Sequence, residues 1–146
     1  MVIQIILIIA VHLRAVYTDL KENIIENRVL LAAYVTGIFV NLITGRQEAL
    51  LQGLKMSFLV TAVLFLLFLI KGIGGGDVKL LGVTGLYLPA QIIKIAELSF
   101  PIAAAIAVGR MVVRKIKGQR VFVVGDKLHF SLPIMLSTLC VLVCRL

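Results

Sequence analysis

Chemistry in this chain has to be built from very few polar groups, and three aspartates, Asp19, Asp77 and Asp126, are the first candidates. Carboxylates beside or within apolar segments are costly, so they are functional candidates by default. Two helices packed in one bundle can bring Asp19 and Asp77 together although they are remote in sequence. Carboxylates that share a site do not both ionise cheaply, and the pair then holds a single proton near neutrality. Its ionised member can take a proton from water while the protonated member donates to a scissile carbonyl, which is the chemistry of amide hydrolysis. Residue type does not divide these roles between the two. The competing reading is that each aspartate merely ends a helix in the headgroup region. Asp126, followed by Lys127, reads as an exposed turn.

The neighbours of Asp77 favour chemistry. Gly72-Ile73-Gly74-Gly75-Gly76 precedes it, and glycine permits backbone conformations and close approaches that a side chain forbids. An extended substrate strand can lie against such a segment. A phosphate loop would need a different spacing and a following Lys-Ser or Lys-Thr, and a plain interhelical turn is the remaining alternative. Lys79 is placed to hold this loop or to favour the charged carboxylate, and equally to snorkel to the membrane surface.

Composition dictates what carries these residues. The chain has 146 residues, 61% hydrophobic and 15% charged, against roughly 25% charged in soluble domains. A soluble domain of this length needs polar residues to cover its surface, and they are missing. Long apolar runs in lipid must be helical, since each backbone amide has to be paired within its own segment. The expectation is an all-α, polytopic membrane protein of one domain, residues 1–146, with about six spans. Apolar runs lie at 1–17, read as a retained first span, and at 29–45, 56–70 and 128–144; charged connections lie at 18–28 and 46–55. Lys94 and Glu97 split residues 80–113 into two short pieces, and Pro89 is expected to kink the first. With six spans and both termini on the non-cytoplasmic side, ten Lys and Arg residues face inward and four outward; with five spans the balance is six to seven. Only six spans obey the positive-inside rule. Asp19 and Asp77 then both lie at the cytoplasmic edge.

The net charge of +8 is therefore topological and not a nucleic-acid footprint. The basic run from Arg114 to Arg120 reads as a topology signal with affinity for anionic lipid. Cys140 and Cys144 fit neither a disulfide framework nor a zinc site and read as small residues on one helix face. His12 reads as a polar contact between helices, with no partners for a metal.

Gly74-Gly75-Gly76-Asp77-Val78-Lys79 resembles the G-x-G-D-x-K signature of type IV prepilin peptidases, intramembrane aspartic proteases that include archaeal preflagellin peptidases. The family's other aspartate begins a D-x-x-x-x-x-I-P-N pattern. Here Asp19 to Asn27 keeps Asp, Ile and Asn in register and has Glu26 where Pro is usual. Phe130-Ser131-Leu132-Pro133 is similar to the start of the family's last span. From end to end the chain looks like the short form found in tight-adherence pilus systems.

The resemblance implies that Asp19 and Asp77 are the catalytic pair, with Gly74, Gly75, Gly76, Lys79 and Asn27 supporting the loop and the substrate, and with no metal and no cofactor. The implied partner is a pilin-like protein whose short basic leader is cut from an apolar helix after a Gly, at the cytoplasmic face of the inner membrane. Glu22 and Glu26 are candidates to attract that leader. Larger members also methylate the new N-terminus and carry a cysteine-rich cytoplasmic domain; this chain opens on a span without such a cluster, so methylation is not implied. Two other functions compete. A presenilin-like protease shares G-x-G-D but usually has Tyr before the first Asp, where this chain has Thr18. A small transporter or proton relay would use the same two aspartates to bind or pass a cation.

Overall fold

A computed structural model of the chain describes residues 2–118 and 129–144. Among these residues the fold consists of α1 (Val2–Glu22), α2 (Asn27–Ile43), α3 (Gln47–Leu69), α4 (Gly75–Tyr87), α5 (Ile92–Ile116) and α6 (Ser131–Cys144). By length and composition α1, α3 and α5 can cross a membrane, and α2 and α6 are shorter apolar helices. The all-α membrane architecture expected from composition is the one formed. Asp126, Lys127 and Arg120 lie outside the described residues.

The helices stop at backbone signals and not at charges. Left-handed residues follow or lie near four of the ends: Asn23 (φ 56°), Gly45 (φ 65°), Lys71 (φ 60°) and Gly118 (φ 67°). This corrects three boundaries. α1 runs on to Glu22, so Asp19 lies on the helix and not in a connection. α3 absorbs Glu48 and Lys55, leaving only a short turn before it. The break in the 80–113 stretch falls at Leu88–Gln91: Pro89 ends α4 instead of kinking a span, and Lys94 and Glu97 lie inside α5, whose internal proline is Pro101. A missing amide hydrogen stops a helix more firmly than a charge does, because a Lys or Glu can stay helical and point outward.

α4 sits in the middle. It touches each of the other five helices, and every residue from Leu80 to Tyr87 is buried. A helix that is apolar on all sides has to be wrapped in this way. The α3 contact is the tightest. A Cβ on Gly53 would come within 2.5 Å of the Leu86 carbonyl oxygen, so only glycine lets the two backbones approach so closely, as small residues do between membrane helices. Polar pairs tie the same bundle: His12 Nε2 lies 3.1 Å from Thr84 Oγ1, the Tyr87 hydroxyl donates to the Ala33 carbonyl at 2.8 Å, and the Tyr34 and Ser57 hydroxyls are 3.0 Å apart. Such bonds contribute about 0.6–2 kcal/mol each within a bilayer. The interhelical role expected of His12 is the one it plays. What this packing leaves uncovered is the N-terminal end of α4, where Asp77 lies.

Candidate functional site

Asp19 and Asp77 line one cleft of about 730 Å³, together with the Gly72–Gly76 connection, Asn27, Lys79 and the rings of Phe68 and Phe130. Two chain ends build it. α1 delivers Asp19 one turn before Asn23, whose N–H bonds back to the Asp19 carbonyl at 2.9 Å as the helix closes. α3 ends in a left-handed Lys71, with Lys71 N–H on Phe68 O (2.9 Å) and Gly72 N–H on Leu67 O (2.8 Å). This double bond pattern usually has glycine in the left-handed place. The chain then turns through Gly74, the N-cap of α4, and Asp77 falls in the first turn.

Gly74 owes its identity to the Asp77 carboxyl, because a Cβ there would lie 2.7 Å from Asp77 Oδ2. The carboxyl folds back over its own helix start. Gly75 backs onto the Phe68 ring and Gly76 onto Ile25. Lys79 Nζ donates to Asn27 Oδ1 at 3.0 Å, so the two motif segments are tied together at the rim. Glu26 takes φ −65° and ψ 118° at the N-cap of α2. That φ is the one proline imposes, so Glu26 makes the turn for which the resembling pattern uses Pro. Its Oε1 accepts a bond from Arg14 Nη2 at 2.6 Å, whereas Glu22 is exposed.

The two carboxyls differ in their surroundings. Asp77 lies outside the long apolar spans, yet its Oδ1 is buried without a hydrogen-bond partner. Burial, and then the negative charge of Asp19, push its carboxyl from 3.8 up to about 7. Asp19 has donors. Ser131 Oγ donates to its Oδ2 at 2.5 Å, and His129 Nδ1 lies 3.4 Å from its Oδ1. Ser131 belongs to a stretch the sequence marked only as the start of the last span, and His129 was missed altogether. The signal that could have found it is a titratable residue directly before that stretch. Among the described residues no group of three or more His, Cys, Asp or Glu side chains could hold a metal ion. The arrangement puts a carboxyl whose proton affinity is raised by burial in one cleft with a second carboxyl that accepts a hydroxyl hydrogen bond.

No curated protein and no solved structure matches the chain. A family profile does match: that of the Type IV leader peptidase family, over residues 5–114. This stretch covers most of the chain and contains both aspartates and the glycine run, and it ends before α6. The chain therefore belongs to the Type IV leader peptidase family.

Proposed function

We infer that the protein is an intramembrane aspartic endopeptidase, one domain over residues 1–146, that removes the short basic leader from a prepilin-like or preflagellin-like protein at the cytoplasmic face of the inner membrane. The observation that carries this reading is the geometry: Asp19 and Asp77 line one cleft with the Gly72–Gly76 run, where burial and the charge of Asp19 push the Asp77 carboxyl up. Asp19 takes a proton from water as the water oxygen bonds to the scissile carbonyl carbon, and Asp77 gives its proton to the carbonyl oxygen. A proton then passes to the departing nitrogen as the C–N bond breaks, leaving a carboxyl and an amine. Gly72 to Gly76 form the wall against which the extended leader junction lies, and the Lys79–Asn27 bond keeps that wall in place. The apolar helix of the substrate stays in lipid.

The test is to co-express the chain with a candidate prepilin. Wild type shortens the prepilin by its leader. Asp19→Asn and Asp77→Asn, each present in the membrane at wild-type level, leave it uncut, a loss of about a thousandfold or more for removing one of two groups that act together. A transporter using the same aspartates would leave the prepilin uncut even in the wild type.

A further inference from the structure

We propose that His129 and Ser131, at the start of α6, are positioning residues that hold Asp19 as the ionised, water-activating partner. The proposal rests on the peptidase reading above, and both residues lie beyond the stretch that the family profile matches.

Three observations carry it. First, the hydroxyl of Ser131, fully buried at the first residue of α6, donates to a carboxylate 112 residues away in sequence. Second, the segment is anchored: Pro133 fits the first turn of α6, where its missing N–H has no intrahelical partner to lose. Ile134 N–H bonds to the Phe130 carbonyl at 3.2 Å, and the Phe130 ring packs on Phe100 at 5.4 Å. Third, Asp19 needs such help. It lies in the last turn of α1, where the helix dipole opposes negative charge. The Ser131 hydroxyl on Oδ2 and the His129 ring 3.4 Å from Oδ1 fix the carboxylate plane. The Asp19 and His129 side chains are only 13% and 17% exposed, so water does not easily replace these contacts.

Around this group the other charged side chains lining the cleft are Asp77 and Lys79 from α4 and Lys71 from the connection before it; α1 itself adds Lys21 and Glu22 nearby in sequence. Asp77 feels the charge of Asp19, whereas the side-chain hydrogen bond that Asp19 accepts among the described residues comes from α6. Ser131 and His129 do not touch the scissile bond in this scheme. They act through Asp19.

The test reads Asp19 directly. A carbodiimide modifies protonated carboxyls, and mass spectrometry of the membrane protein gives the pH at which Asp19 modification is half complete. Ser131→Ala raises that pH by about one unit, as losing one strong donor should; Ser131→Thr, which keeps a hydroxyl, restores it. His129→Ala moves it in the same direction and His129→Gln less so. In prepilin cleavage Ser131→Ala lowers kcat about tenfold with KM nearly unchanged, and the acid limb of the activity profile moves up with the modification midpoint. An unmoved midpoint in both alanine variants overturns the proposal, as does a rise in KM alone. A loss that Ser131→Thr fails to restore, in protein present at wild-type level, overturns it too. If the wild type cuts no prepilin, the peptidase reading fails by itself, and the modification midpoints still decide whether α6 holds Asp19 charged.

Discussion

Asp19 stands in the last turn of α1 and Asp77 in the first turn of α4. From helix dipoles alone, Asp77 is the better placed to be ionised. The surroundings reverse that order. At Asp77 one carboxyl oxygen is buried with no partner, and burial outweighs the dipole, which is worth only about 0.3–1 kcal/mol in exposed settings. At Asp19 the first residue of α6, Ser131, and His129 just before that helix sit against the carboxyl. The lesson is that two residues of one type come to differ through what the rest of the fold brings to each.

The comparison breaks most visibly in stability against pH. Asp77 ordinarily titrates at 3.8 and in the fold at about 7, so between those values the folded chain keeps a proton that the unfolded chain has lost. Folding is then favoured most at acid pH, and that advantage is lost as pH rises through about 7. At about 1.4 kcal/mol per tenfold change in proton affinity, the full swing is on the order of 4 kcal/mol. Thermal unfolding in detergent should give a wild-type Tm that falls from pH 5 to pH 8, and Asp77→Asn should flatten this slope and raise Tm at pH 8. A slope that survives Asp77→Asn would place the buried proton elsewhere.

Asp19→Asn should act with the opposite sign. It leaves the Ser131 hydroxyl and His129 facing a weaker acceptor, at about 1–3 kcal/mol, and Tm at pH 8 falls. It also removes the smaller of the two causes that raise Asp77, so the pH slope shrinks without vanishing. Equal Tm changes for the two Asn variants would mean that the carboxyls share one environment.

Gly74→Ala sharpens the comparison on the Asp77 side alone. The new Cβ would stand 2.7 Å from Asp77 Oδ2. The carboxyl is the end of a side chain and can swing away, so the fold survives while the acid leaves its place. Misplacement on this scale lowers kcat roughly ten- to a hundredfold with little change in Tm. A large loss of Tm would show that Gly74 serves the turn and not the carboxyl.

The aspartates were legible because carboxylates are scarce in an apolar chain, and the all-α architecture because lipid allows such runs little else. The ends of the helices were not. Polarity marks where a chain meets water, whereas a helix stops at the φ of single residues, and at Asn23 and Lys71 the left-handed residue is not the glycine that would announce it. The same blindness put Asp19 in a connection it does not occupy. Ser131 and His129 lay beyond reach for another reason: no local pattern tells which helix packs against which, so a donor 112 residues from its acceptor shows itself only in three dimensions. The Lys79–Asn27 bond was half legible, since Lys79 was placed to hold a loop without a stated partner.

The smallest effect concerns the turn between the aspartate motif and α2. Glu26 has φ −65°, the value to which proline is locked, and α2 uses its carbonyl, which accepts from Val29 N–H at 3.1 Å and Leu30 N–H at 3.3 Å. Proline keeps that carbonyl. Glu26→Pro should gain about 0.4–1 kcal/mol by restricting the unfolded chain and lose the Arg14 pair, whose side chains are 53% and 33% exposed and whose bond is worth about 0–1 kcal/mol. The two nearly cancel, so stability should stay within about 0.5 kcal/mol and prepilin cleavage should be unchanged. A clear rise in KM for a basic leader would instead assign the Glu26 charge to substrate capture, and the turn would then be a secondary reason for the residue.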